Sequence, residues 1–535
     1  MNRPKAQHLL FSSSSLPARL TLFVLLFWTA AAAVGQAAQR PPATEPHKTT
    51  KPGPAQKTAQ EPARKAGPAE PWTKILIPPL PPFHPPQPKR VELPNGMVLF
   101  LQEDHELPLI SLMARIRGGA RLEPQSKIGL VDMYGEVWRT GGTKTKTGDE
   151  MDDFLEARAA KLETDGGMDA TTIGLNCLKG DFDDVFSLFL ELLREPAFRA
   201  DKLALAKREM DTEISRRNDD VGDIASRESV KLAYGKDNPY VRIPEYATVD
   251  AVTREDLLNW HDRFVHPNNM IVGVVGDFNS DAMEAKLKQA FGSWAKGPEP
   301  PKLEVEFREP KPGLYYVHKE DVNQSVIRMV ALGIRKDNPD YYAVTVMNEI
   351  LGGGFASRLI RELRSRQGLA YAVGGGIGSS FDHPGIFMLG MGTKSATTAE
   401  GIKGLNQEIA DLLKDPPTEQ ELRRAKDSIL NSFIFHFDSP EKVMRERMAY
   451  EYYGYPLDFL ERYRTGVEKV TVADVNRVIH KYVHPGMFAV LVVGNSEADK
   501  EVASLGPVTK LDITIPPPPR ASQTAQPALQ TQEKH

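Results

Sequence analysis

The chain has 535 residues, 41% hydrophobic and 26% charged, an ordinary globular balance with length for several domains. A formal net charge of −4, with no basic stripe interleaved with aromatics, gives no reason to expect nucleic acid. The lone cysteine, Cys177, excludes an internal disulfide and a cysteine metal cluster, and reads as a small buried side chain.

Along the chain, Arg3, Lys5 and Arg19 precede an apolar run at 20–34, then small residues around Gly35 and Ala37. That order predicts a secretory signal over 1–37, hence a periplasmic or extracellular protein. The run has 15 residues, short of the ~20 that a membrane span needs, so no stable span is expected after signal cleavage; a retained anchor is the alternative. Residues 41–90 hold 15 of the 42 prolines, which predicts an extended linker over 38–90. The tail 516–535 has the same character.

The core between them alternates strands and helices. Strands are expected at 91–101 and 109–117, joined through the polar turn Glu103–Leu107. A helix is expected at 128–139, stopped by Gly141-Gly142, and further helices at 148–162, 182–193 and 201–217, with a strand at 170–178. A helix at 254–264 runs into His266-Pro267, followed by an apolar strand at 270–276. After residue 300 the order recurs: strands at 314–317 and 325–332, a helix at 341–351, a Gly352-Gly353-Gly354 break and a helix at 356–366.

The recurrence is also literal. Residues 264–276, FVHPNNMIVGVVG, and 482–494, YVHPGMFAVLVVG, share seven of thirteen positions at an offset of 218. The register extends upstream, where Val249, Val252 and Thr253 fall opposite Val467, Val470 and Thr471. A copy of this length is a domain, so two homologous α+β domains are expected at 91–300 and 301–515. Each should be a mostly antiparallel sheet with helices packed on one face.

The run GLVDMYGEVWRTGGT at 129–143 resembles the zinc-site segment of the pitrilysin/insulinase family of metallopeptidases, the inverted zincins. GGGFASRLIRELRSRQGLAY at 352–371 resembles that family's second-half signature, and Pro94-Asn95-Gly96 and His266-Pro267 also match. The resemblance covers about 88–500. It implies two processing-peptidase-like domains, a recognition strand at 168–178 that takes extended peptide as an added strand, and a zinc centre built on H-x-x-E-H. In active members two histidines at i and i+4 and a later glutamate hold the metal, and the glutamate between them takes the proton of its water.

Here the ligand positions carry Asp132 and Glu136, the base position carries Gly135, and Glu213 alone matches the downstream ligand. Without imidazoles or base, no catalytic residue, metal or cofactor is expected in this chain. Convergence of Asp132, Glu136 and Glu213 on a hard cation is the alternative, beside the ordinary reading of solvated carboxylates. His480 and His484 are spaced i, i+4, but Pro485 disfavours helix at His484, and the ordinary reading of His436 between Phe435 and Phe437 is core or turn.

The second half keeps its part. The resemblance assigns Arg364 and Tyr371 to substrate binding, and a guanidinium and a phenol can both donate to the oxyanion of a tetrahedral intermediate. The triglycine is no phosphate loop, since no Gly-Lys-Ser/Thr follows. A chain with the Arg/Tyr half and without the zinc half resembles one subunit of the family's split pairs. The expectation is a non-catalytic subunit of a heterodimeric protease, with zinc in its paralogue; a homodimer, a scaffold of the same fold, and a peptidase with a non-standard metal are the alternatives.

Overall fold

The structure is a computed structural model that describes residues 87–518 apart from 434 and 436, all within the unit 81–535. The signal, nearly all of the linker, most of the tail and His436 lie outside the described residues.

The first half runs β1 (Lys89–Glu92), β2 (Val98–Glu103), β3 (Leu109–Arg117), α1 (Leu130–Thr140), α2 (Gly148–Glu156), β4 (Lys161–Gly166), β5 (Ala170–Leu178), α3 (Phe182–Arg194), α4 (Ala200–Arg216), α5 (Val221–Tyr234), α6 (Tyr246–Asp250), α7 (Arg254–Phe264), β6 (Met270–Gly276) and α8 (Ser280–Phe291). The second runs β7 (Gly313–His318), β8 (Gln324–Leu332), β9 (Ile334–Arg335), α9 (Tyr341–Asn348), β10 (Ala372–Ser380), β11 (Pro384–Lys394), α10 (Thr398–Lys414), α11 (Glu419–Phe433), α12 (Pro440–Tyr453), α13 (Phe459–Lys469), α14 (Val472–Tyr482), β12 (Ala489–Gly494), α15 (Ser496–Ala503) and β13 (Val508–Lys510).

The sheets repeat one order. The first is β1-β2-β6-β3-β5-β4 and the second β13-β7-β12-β8-β11-β10-β9, so β2, β6, β3, β5 and β4 correspond to β7, β12, β8, β11 and β10. Within this shared set only the β2–β6 and β7–β12 joins are parallel. Both copies of the sequence repeat fold alike because both open on a Thr-x-x-Asp capping box: Thr253 with Asp256, and Thr471 with Asp474. Val252 and Val470 then anchor each helix in its own core.

Three expected boundaries shift. The strand at 91–101 is a hairpin, because Gly96 at φ +85° lets the chain turn between Leu93 and Met97, and its first strand starts at Lys89, inside the expected linker. The helix at 148–162 stops at Glu156, and residues 161–166 form β4; Ala159 at φ +47° makes the exit. Consequently β5 is an interior strand between β3 and β4, and the edge on that side of the sheet belongs to β4.

Each half supplies helices to one face of its own sheet, around a core of Trp138, Tyr134 and Phe189 in the first and Leu363, Phe387 and Leu389 in the second. The other face is covered by a single helix from the opposite half. Helix α12 lays Met444, Met448 and Tyr452 on Val98, Phe100, Ile271 and Val275 of the first sheet. Helix α5 lays Ile224, Ala225 and Ala233 on Val317, Val330, Leu491 and Val493 of the second. Polar bonds fix the exchange: Tyr452 donates to the Asp169 carbonyl at 2.6 Å, Tyr453 donates to its carboxylate at 2.8 Å, and Arg115 lies 4.4 Å over the Tyr452 ring.

Candidate functional site

Helix α1 is anchored by a buried stripe. Trp138 donates to the Leu192 carbonyl at 2.9 Å, and the Tyr134 hydroxyl meets His261 Nδ1 at 2.9 Å. Burial pushes His261 down to about 3, so it is a neutral core imidazole. With that stripe inward, Asp132 and Glu136 fall one turn apart on the outer side, Asp132 exposed and Glu136 half-buried. Glu213 is exposed on the neighbouring α4. Among the described residues no three histidine, cysteine or carboxylate side chains are grouped to hold a metal ion.

The base position is closed by backbone. A Cβ on Gly135 would sit 2.2 Å from Gly166 N of β4, and a Cβ on Gly166 would sit 2.0 Å from the Val131 carbonyl oxygen. Thr164 clamps the contact by donating to the Gly135 carbonyl at 2.5 Å. No side chain fits where a proton acceptor would stand. With no imidazole donor and no room for a base, the residues present do not fit a zinc peptidase centre.

Glu123 escaped the sequence reading. Its buried carboxylate accepts from the Gly129 and Val131 amides at 3.2 and 2.5 Å, capping the first turn of α1 from outside the helix. The signal was faint, a glutamate just before a 3-10 turn, because the cap is made across a loop. Burial, reinforced by Asp132, outweighs those two donors and pushes the carboxyl up to about 8. A raised acid pKa means that the folded state holds a proton the unfolded chain releases near pH 4.5, so its stabilisation is full below that pH and is lost as pH rises through 8. Urea unfolding across this window should show stability falling by up to about 5 kcal/mol, and Glu123→Gln should flatten the slope. An unchanged slope in that variant would assign the effect to other groups.

The signature at 352–371 divides into anchors and presented groups. Gly352 meets Gly375 of β10 backbone to backbone, with a Cβ 2.6 Å from its carbonyl oxygen, the same device as Gly135 on Gly166. Leu359 and Leu363 are fully buried. Arg358 is a structural residue: its buried guanidinium grips Glu421 in a bidentate pair at 2.9 Å and donates to the Asp415 carbonyl at 3.0 Å. Arg364 and Tyr371 are both exposed, the tyrosine 75%. Their mount is held by backbone contacts: a wide π turn over Ile360–Arg366, Leu369 N donating to the Leu363 carbonyl at 2.9 Å, Gly368 turning at φ +65°, and Tyr371 N donating to Gly392 O at 3.0 Å. Arg364 makes no ion pair or side-chain hydrogen bond among the described residues, which leaves its fork of donors available.

The remaining motifs are structural or displaced. The recognition strand expected at 168–178 is interior; β4 is the edge that could accept an added strand. His480 is on α14, which ends at Tyr482, so the exposed His484 beyond it forms no helical pair with it. Cys177 is buried, its thiol pushed up to about 11 by burial. No helix among the described residues is long and apolar enough to cross a membrane.

Residues 251–429 match the family model of the peptidase M16 inactive domain, a stretch that contains Arg364 and Tyr371 and excludes α1. A Helicobacter pylori protein described as a non-peptidase homolog is 25% identical over 405 residues, 75% of this chain and 92% of that one. An uncharacterized zinc protease of Mycobacterium leprae is 26% identical over 408 residues, 74% of this chain and 89% of that one. The crystal structure of a peptidase M16 inactive domain from Pseudomonas fluorescens superposes with a TM-score of 0.70 at 26% identity, covering 76% of this chain and 98% of the other.

Proposed function

We propose, on the premise that this chain is a non-catalytic member of the peptidase M16 family, that it binds extended peptide and completes the active site of a zinc-binding paralogue. One contrast carries the reading: the base position on α1 is closed by the backbone of β4, while Arg364 and Tyr371 stand exposed on a hydrogen-bonded mount. A fold that needed only packing would keep Arg358, Leu359 and Leu363 and would have no use for two free donors beyond them.

In this reading the partner holds the metal and the base, and this chain contributes the Arg364 guanidinium and the Tyr371 phenol to the oxyanion. The donors are already placed, so no reorganisation is needed as charge develops. The peptide lies extended, its backbone paired along an exposed strand edge. The leader at 1–37 belongs to the same proposal and puts the pair outside the cytoplasm.

The test is peptidase activity on a quenched extended peptide, for this chain alone and mixed with the nearest paralogue that has an intact H-x-x-E-H. Activity is expected in the mixture only, falling about 10²–10³-fold with Arg364→Ala or Tyr371→Phe. A paralogue indifferent to this chain would leave a scaffold, and metal-dependent cleavage by this chain alone would overturn the reading.

A further inference from the structure

The outer face of the second sheet carries one residue that the fold does not call for. Arg328 lies near the middle of β8, paired across the ladder with Gly390 on β11 and Leu491 on β12. The matching position in the first sheet is Met113, paired with Gly174 and Gly273, and it packs into the apolar cluster under α12. A hydrophobe satisfies this position; the second half has an arginine there instead.

That arginine has no counter-charge among the described residues. Its guanidinium makes no ion pair or hydrogen bond among the described residues, and Nε is sealed from solvent without an acceptor. Burial alone acts on it, lowering its pKa, with no carboxylate near enough to offset the loss. A half-buried arginine left so, with only Nε sealed, can still take an anion on its terminal nitrogens.

The strand beside it is bare of side chains at two positions. Helix α5 covers β8 and β12, and β11 beyond it is floored by glycine. A Cβ at Gly390 would stand 2.1 Å from Arg328 Nη1, so glycine there keeps the guanidinium's place open. A Cβ at Gly392 would meet nothing within 4 Å. Gly392 is also the residue whose carbonyl holds the Tyr371 amide. By strand spacing Arg328 and Tyr371 are about 14 Å apart, some four residues of extended peptide.

We infer that Arg328 is an anion subsite that takes a carboxylate of the bound peptide, about four residues from the bond that Tyr371 would face. This rests on the peptide-binding reading above and adds to it a substrate class: peptides with an acidic side chain or a free C-terminus at that distance.

The experiment measures binding of fluorescent extended peptides to this chain alone, together with thermal unfolding. One peptide has a single acidic residue and an amidated end, a second has glutamine in its place, and a third is neutral with a free C-terminus. Either carboxylate peptide should bind about tenfold tighter than the neutral one, and which of them does so identifies the source. In Arg328→Met the preference should vanish and the melting temperature should hold or rise, since an unpaired, half-buried cation has gone. Arg328→Lys should keep part of the preference. Equal binding of charged and neutral peptides overturns the subsite and leaves the peptide-binding reading standing; no binding of any peptide overturns both. A melting temperature that falls in Arg328→Met with the preference retained assigns a packing role and overturns the subsite. A wild-type stabilisation by inorganic phosphate that carboxylate peptides do not compete away would make this a phosphate site and overturn the peptide assignment.

Discussion

Gly135→Glu is expected to unfold the first half rather than furnish it with a base. The contact that forbids the side chain is made by backbone atoms, Gly166 N at 2.2 Å and the Asp165 carbonyl carbon at 2.8 Å from the Cβ position. A flexible neighbour could swing away, but β4 is paired to β5 from Lys161 to Gly166 and tied to Gly135 through Thr164. Relief would mean separating α1 from β4 or dismantling that ladder, a cost of about 3 kcal/mol or more. The triple change Asp132→His, Gly135→Glu, Glu136→His restores the H-x-x-E-H letters and meets the same obstacle. Thermal unfolding should show a large drop in melting temperature or no cooperative transition, with no zinc-dependent hydrolysis. A folded triple variant that retains one zinc and cleaves peptide would show that the site is lost only in its side chains.

The second large effect is expected at the helix exchange. Met448 on α12 is fully buried against the first sheet, with its Sδ 2.6 Å from where a Cβ on Gly273 would be. Met448→Asp removes a large apolar side chain and places a carboxylate where no cation is paired with it, which should cost about 4 kcal/mol or more. Although the substitution is in the second half, the face it uncovers belongs to the first. Trp138, Trp260 and Trp294 report on the first half, and circular dichroism reports on both. The two signals should move together to lower denaturant in the variant, as they should in Ala225→Asp, which disturbs the reciprocal contact of α5 on the second sheet. A variant whose tryptophan and dichroism transitions separate would show that the halves fold independently.

These two residues mark the divide between what could be read and what could not. The helix bearing Asp132 and Glu136, the strands β3, β5, β6 and β8, and the break after α9 follow from period and from glycine and proline, because each depends on neighbours within a few residues. The signature at 352–371 was legible as a resemblance, and the structure leaves Arg364 and Tyr371 exposed within it. Its internal division was not: Arg358 and Arg364 are the same letter six residues apart, and only Glu421, distant in the chain, makes one a buried anchor. The edge strand β4 was hidden inside an apparent helix because residues 157–160 have helical composition, and only the turn at Ala159 and the ladder to β5 reveal the strand.

By itself the sequence determined that the chain is a doubled α+β fold and that the run resembling a zinc-site segment has neither histidine nor the glutamate base, since both are matters of spacing and residue type. Tertiary structure alone decided that Gly135 is closed in by backbone, that each sheet is covered by a helix of the other half, and that Arg328 has no partner among the described residues. Those facts turn on atoms brought within a few ångströms by segments up to hundreds of residues apart, and close packing, unlike periodicity, leaves no local trace in the chain.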